Sequence, residues 1–71
     1  MASKLELTLE ILSDGKWHEI DELEQRLALN EHAVLEITLF LNRYDFAFVD
    51  DARRKVKLSE DFRQFLYGRL T

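Results

Sequence analysis

The chain has 71 residues, a formal net charge of −4, 46% hydrophobic residues and no cysteine. This length suits one domain, spanning 1–71, and the apolar content exceeds that of disordered segments, while disulfides and thiolate metal sites are excluded. The acidic balance weighs against indiscriminate nucleic-acid binding. The charged start MASKLELTLE and the lack of an apolar run near ~20 residues argue against a signal peptide or membrane span and for a cytoplasmic protein.

Charge is unevenly spread. Residues 1–50 hold four Lys/Arg against eleven Asp/Glu, whereas residues 51–71 hold six against three. The densest cationic stretch is RRKVK, Arg53 to Lys57.

From the N-terminus, Lys4 to Ser13 is predicted helical, with Leu5, Leu9 and Leu12 at helical spacing, Leu7 and Ile11 widening the apolar arc, and Glu6 and Glu10 opposite. SDG closes it, because Gly15 can take the left-handed conformation that ends helices. Lys16 to His18 suits a brief strand, with Trp17 packed against a later hairpin. A second helix runs from Glu19 or Ile20 to Ala28, burying Ile20, Leu23 and Leu27, with acids in its first turn where the helix dipole favours them. Asn30 is a good N-cap for a third helix reaching about Tyr44.

Beyond Asp45 the pattern changes to two β-prone runs, FAFVD and RKVKLS, joined by DARR. Lys55 and Lys57 alternate with Val56 and Leu58, the pattern of a hairpin with one wet face. Ser59 then caps a last helix, Glu60 to Leu70.

This order of helix, short strand, helix, tight turn, helix, hairpin and helix resembles the winged helix-turn-helix family over nearly the whole chain. The resemblance is carried by EILSDGKWHEIDELEQRLALN, AVLEITLFLNRYDFAFVD and KVKLSEDFRQFL. It implies a mainly α fold with a small β-hairpin wing. It also implies a transcription regulator that lays its third helix in the major groove of double-stranded DNA, touches the backbone with the wing and is often a dimer. Two positions depart from the family's habits: Ala28 stands where a turn Gly is common, and Asp45 where Gly often follows the third helix.

At 100° per residue, Ala33, Val34, Ile37, Phe40, Leu41 and Tyr44 form the expected core arc of the third helix. Glu31, His32, Leu35, Glu36, Leu39, Asn42 and Arg43 then face outward. His32, Glu36 and Arg43 are the candidate base-edge contacts, although a carboxylate is an uncommon reader of DNA. Arg53, Arg54, Lys55 and Lys57 are the candidate phosphate contacts; their bland alternative is a solvated edge strand.

Leu35 and Leu39 form an apolar ridge suited to a protein partner or a second copy. The competing expectation is therefore a winged-helix interaction or dimerisation module without DNA binding, with the first or last helix (Leu7, Ile11, Tyr67, Leu70) available for a homodimer contact. His18 and Glu22, four apart, are too few to hold a metal, and the acids Glu19 to Glu24 suit a solvated helix start. No cofactor cradle or nucleophile-and-base set is visible, so no enzyme is expected.

Overall fold

The structure, a computed structural model, describes residues 3–67: four helices and a three-stranded antiparallel sheet. The elements are α1 (Lys4–Leu12), β1 (His18–Glu19), α2 (Ile20–Leu27), α3 (Glu31–Arg43), β2 (Ala47–Asp50), β3 (Lys55–Leu58) and α4 (Glu60–Tyr67). That is the order expected from the sequence. The part of the last helix expected beyond Tyr67, with Leu70, lies outside the described residues.

Local chemistry sets the helix ends. Ser3 and Glu6 make a reciprocal capping box on α1: the Ser3 amide donates to Glu6 at 2.9 Å and the Glu6 amide to Ser3 Oγ at 3.1 Å. The Ser-x-x-Glu pattern behind it is a local signal already present in the sequence at positions 3 to 6. Gly15 sits at φ +76° and donates its N–H to the Leu12 carbonyl, completing the turn after α1. Asn30 Oδ1 accepts from the Ala33 amide at 2.9 Å, and Ser59 Oγ from the Phe62 amide at 3.2 Å, so both anticipated caps form.

Three turns, at Ala28, Asp45 and Arg54, use the left-handed backbone without glycine. Ala28 closes α2 at φ 56°, ψ 44°, and Asp45 follows α3 at φ 61°. Asp tolerates that region through local side-chain hydrogen bonding, whereas Ala carries the full steric penalty. Ala28, at the position where a turn Gly is common, thus adopts the positive φ that the tight α2–α3 connection uses.

The core gathers Leu12 of α1, Ile20, Leu23 and Leu27 of α2, Val34 and Leu41 of α3, and Ala47, Val56 and Leu58 of the hairpin. In the sheet, β3 lies between β1 and β2. His18 pairs with Val56, and Ala47 with Leu58. The first strand therefore begins at His18, two residues later than the sequence suggested, with Trp17 just before it. β2 is an edge strand, and its Ala47 carbonyl is capped by the Asn42 side-chain amide at 3.0 Å, which occupies one acceptor on the open edge.

Two helix faces differ from expectation. In α1 the fully buried residues are Thr8 and Leu12, while Leu5 is exposed. In α3 the buried line is Val34, Thr38 and Leu41, about 70° round the helix from the centre of the expected arc at 100° per residue. Thr8 and Thr38 are tolerated inside because each hydroxyl donates to a carbonyl of its own helix, Lys4 at 2.7 Å and Leu35 at 3.0 Å. The rotation puts Phe40, 45% exposed, and Tyr44, 54% exposed, outside the core they were expected to fill.

Candidate functional site

The hairpin carries its cations on the loop and the following strand, but they are not equivalent. Arg54, at φ 55°, turns back toward the helices. Its Nη1 lies 2.8 Å from Glu31 Oε2, and its Nη2 lies 3.4 Å from Asp21 Oδ1 and 3.8 Å from Glu24 Oε2. Hydrogen bonds to Glu31 and Asp21 raise the guanidinium pKa above its ordinary value. Glu24 Oε2 is buried without a hydrogen bond, so Arg54 is also the counter-charge of an otherwise unsatisfied carboxylate oxygen. One of the four expected phosphate contacts is thereby engaged by the protein's own acids.

Lys55 and Lys57 lie on the sheet face opposite Val56 and Leu58. The register sets Lys57 opposite Phe48, and Lys57 Nζ lies 5.1 Å from the centroid of Trp17, within cation–π range. Lys55 stands opposite Asp50 on one side and Glu19 on the other. The wet face thus holds Trp17, Lys57 and Phe48 in one row and Glu19, Lys55 and Asp50 in the next, with little net charge. Arg53, at the loop, makes no ion pair among the described residues.

On α3, Glu31 and Glu36 face solvent, and His32 Nε2 lies 3.5 Å from Glu36 Oε2 on the open surface. Leu35 is partly buried against the core, leaving Leu39, 56% exposed, as the outward half of the expected ridge. Phe40 forms a wall of two concavities. One, about 450 Å³, opens toward the start of α1 and is lined by Leu5, Leu29, Ala33 and Ile37. The other, about 310 Å³, lies between Glu36, Leu39 and Arg43.

From Phe40 an aromatic row continues off the helix. Phe40 meets Tyr44 edge-on at 5.2 Å between centroids, Tyr44 meets Phe46 at 5.9 Å, Phe46 stacks on Phe62 at 4.0 Å, and Phe62 meets Phe65 at 6.3 Å. Phe65 is 83% exposed. Phe40 and Tyr44 belong to the arc expected to be core, which hides this surface in the sequence; the signal that points to it is the surplus of aromatic residues over what so small an interior holds.

A separate polar cluster centres on His18. Its Nε2 lies 3.0 Å from both Asp14 oxygens, and its Nδ1 lies 3.1 and 3.0 Å from those of Glu22. Glu22 also accepts from Arg26 at 2.9 Å, and Asp14 from the Lys16 amide at 2.8 Å. Burial alone would lower the imidazole pKa, but the hydrogen bonds and negative charges of Asp14 and Glu22 outweigh it and raise the value. For both carboxyls, desolvation would raise the pKa. It is outweighed at Asp14 by the Lys16 amide and His18, and at Glu22 by His18 and Arg26, so both values are lowered. Each ring nitrogen faces a carboxylate, which makes the cluster a clamp from the α1–β1 turn to α2.

Among the described residues no helix is long and apolar enough to cross a membrane. Compared with protein-family models, curated proteins and solved structures, the chain finds no match.

Proposed function

We propose that this chain is a winged-helix docking domain whose outward α3 surface and adjoining α4 receive a polypeptide, and that it acts by binding rather than by catalysis. The winged-helix reading rests on the element order, the tight α2–α3 connection and the β2–β3 hairpin between α3 and α4. The docking reading rests on the exposed apolar row of α3 and α4. At their exposures Phe40, Tyr44 and Phe65 alone present on the order of 350 Å² of ring surface. That area falls in the range where the largest apolar patch of a monomer is often functional, and Leu39 extends it. The Glu36 carboxylate on the same helix, exposed beside His32, repels phosphate and accepts donors from a protein.

A second reading, duplex DNA held by the hairpin with His32, Glu36 and Arg43 toward the bases, is favoured by one observation: Arg53 stands without an ion pair among the described residues, beside Lys55 and Lys57. Three such cations supply affinity for phosphate but little sequence selectivity.

The test is amide-shift mapping with an amphipathic leucine peptide whose flanks are uncharged. Shifts are expected along Glu36 to Tyr44 and in α4, and they should vanish in the Leu39→Glu, Phe40→Ser double variant, whose replaced side chains lie outside the core. Binding that survives this variant, or no shift at these amides, would overturn the docking reading.

A further inference from the structure

We infer that the groove between the end of α3 and α4 is a site for a basic amphipathic segment, an Arg or Lys beside an apolar anchor; this rests on the docking reading and names its partner. The groove has a volume of about 480 Å³ and is lined by Tyr44, Phe46, Phe62 and Phe65 with Asp45 and Asp61. Its chemistry is one-sided, since four rings and two carboxylates meet there and no lining residue is cationic. Neither carboxylate makes an ion pair among the described residues.

Aromatic faces carry negative quadrupole potential, so rings beside carboxylates form an environment that attracts an organic cation, most strongly a guanidinium able to stack and to donate in a fork. The ring planes support such stacking: Phe46, Phe62 and Phe65 follow one another at interplanar angles of 14° and 16°. Phe65 closes the row with one flank in solvent, as its exposure shows. Asp45 is held in place by the left-handed turn after α3, where its N–H donates to the Asn42 carbonyl at 3.0 Å. Asp61 sits in the first turn of α4. Both carboxylates are thus carried on fixed backbone at the groove.

A second copy of this chain fits less well. A two-fold contact centred on the groove sets two Asp45 and Asp61 pairs near one another. The nearest described cation of α4, Arg63, is already committed: its Nε donates to the Ser13 carbonyl at 2.9 Å and its Nη1 to Glu60 at 3.1 Å.

The experiment uses two helical peptides sharing one leucine face, with Arg flanks in one and Glu flanks in the other, titrated into the full chain at low salt. Amide shifts are followed at Tyr44 to Ala47 and Ser59 to Phe65. The Arg-flanked peptide should bind at least tenfold more tightly, and the preference should fall below about threefold in the Asp45→Asn, Asp61→Asn double variant, in which Asn retains tolerance of the left-handed turn. Equal affinities, or a preference that survives the double variant, would overturn this inference and leave the docking reading standing; binding that leaves the groove amides unshifted would overturn it and remove α4 from the docking surface. If neither peptide nor the uncharged one binds, both fall. Sedimentation velocity supplies the remaining outcome: a dimer abolished by Phe65→Ser would name a second copy as the occupant and overturn the basic-segment assignment.

Discussion

Arg54 of the hairpin and Glu31 at the start of α3 meet at 2.8 Å, so the cation nearest the amino end of α3 is turned inward by that helix's own acid. Replacing Glu31 with Gln removes its strongest charged contact and leaves Asp21 and Glu24. The expected results are faster exchange of the Arg54 side-chain protons and shifted amides at Arg54 and Ile20, whose N–H donates to the Arg54 carbonyl at 2.9 Å. Thermal stability should change little, since exposed ion pairs contribute little to folding. An unchanged Arg54 signal would mean that the pair does not form in solution.

Ala28 holds a left-handed backbone that costs an L-residue roughly 1–2 kcal/mol, and glycine escapes this cost while losing part of the gain to its greater freedom when unfolded. Ala28 is exposed, so no packing is lost on replacement. Ala28→Gly should therefore stabilise the chain by about 0.5–1 kcal/mol, raising the melting temperature by several degrees in a domain of this size. Calorimetry that showed destabilisation would place the turn in another conformation.

The His18 clamp gives stability a defined pH window. The imidazole pKa is raised on folding, so its contribution is full below the ordinary value near 6.5 and is lost as pH rises through the folded value. The Asp14 and Glu22 values are lowered, so their contributions are present above the ordinary carboxyl range and are lost as pH falls through the folded values. The clamp is therefore strongest near pH 5 to 6. Urea denaturation should find the chain more stable at pH 5.5 than at pH 8, with the difference reduced in His18→Gln. An equal pH dependence in that variant would remove His18 as its source.

α4 has no fully buried residue. Phe62, stacked on Phe46, and Arg63, reaching the Ser13 carbonyl, are its main anchors. Phe62→Ala should cost about 2–3 kcal/mol, at or below the lower end of the roughly 3–5 kcal/mol of buried aromatic-to-Ala changes because Phe62 is only partly buried. Hydrogen exchange should show the amides of α4 opening before those of α2. Uniform loss of protection would mean that α4 is integral to the cooperative core.

The residues differ in how openly they announced their roles. Asn30, Ser59 and Gly15 marked their caps and turn because those effects are local, and the alternation of Lys55, Val56, Lys57 and Leu58 marked a half-wet strand. The α3 face was misjudged because apolar residues outnumber interior places. Phe40 and Tyr44 looked like core by hydrophobicity, whereas Thr38 occupies it by bonding its hydroxyl within the helix. The partners of Arg54 are 23 to 33 positions away in the chain, a relation that spacing alone does not encode. His18 and Glu22 stood out at a separation of four, but the matching Asp14 lies in a turn, where helical periodicity gives no guide.

The central claim, that α3 meets polypeptide rather than duplex, is tested most directly by titrating mixed-sequence duplex DNA into the labelled chain at low and at physiological salt. The expected result is weak perturbation confined to Arg53 to Lys57 that disappears at the higher salt. Saturable binding with shifts at Glu31 to Glu36, and a log–log salt slope of about −2.7 or steeper from roughly −0.9 per neutralised phosphate, would contradict it.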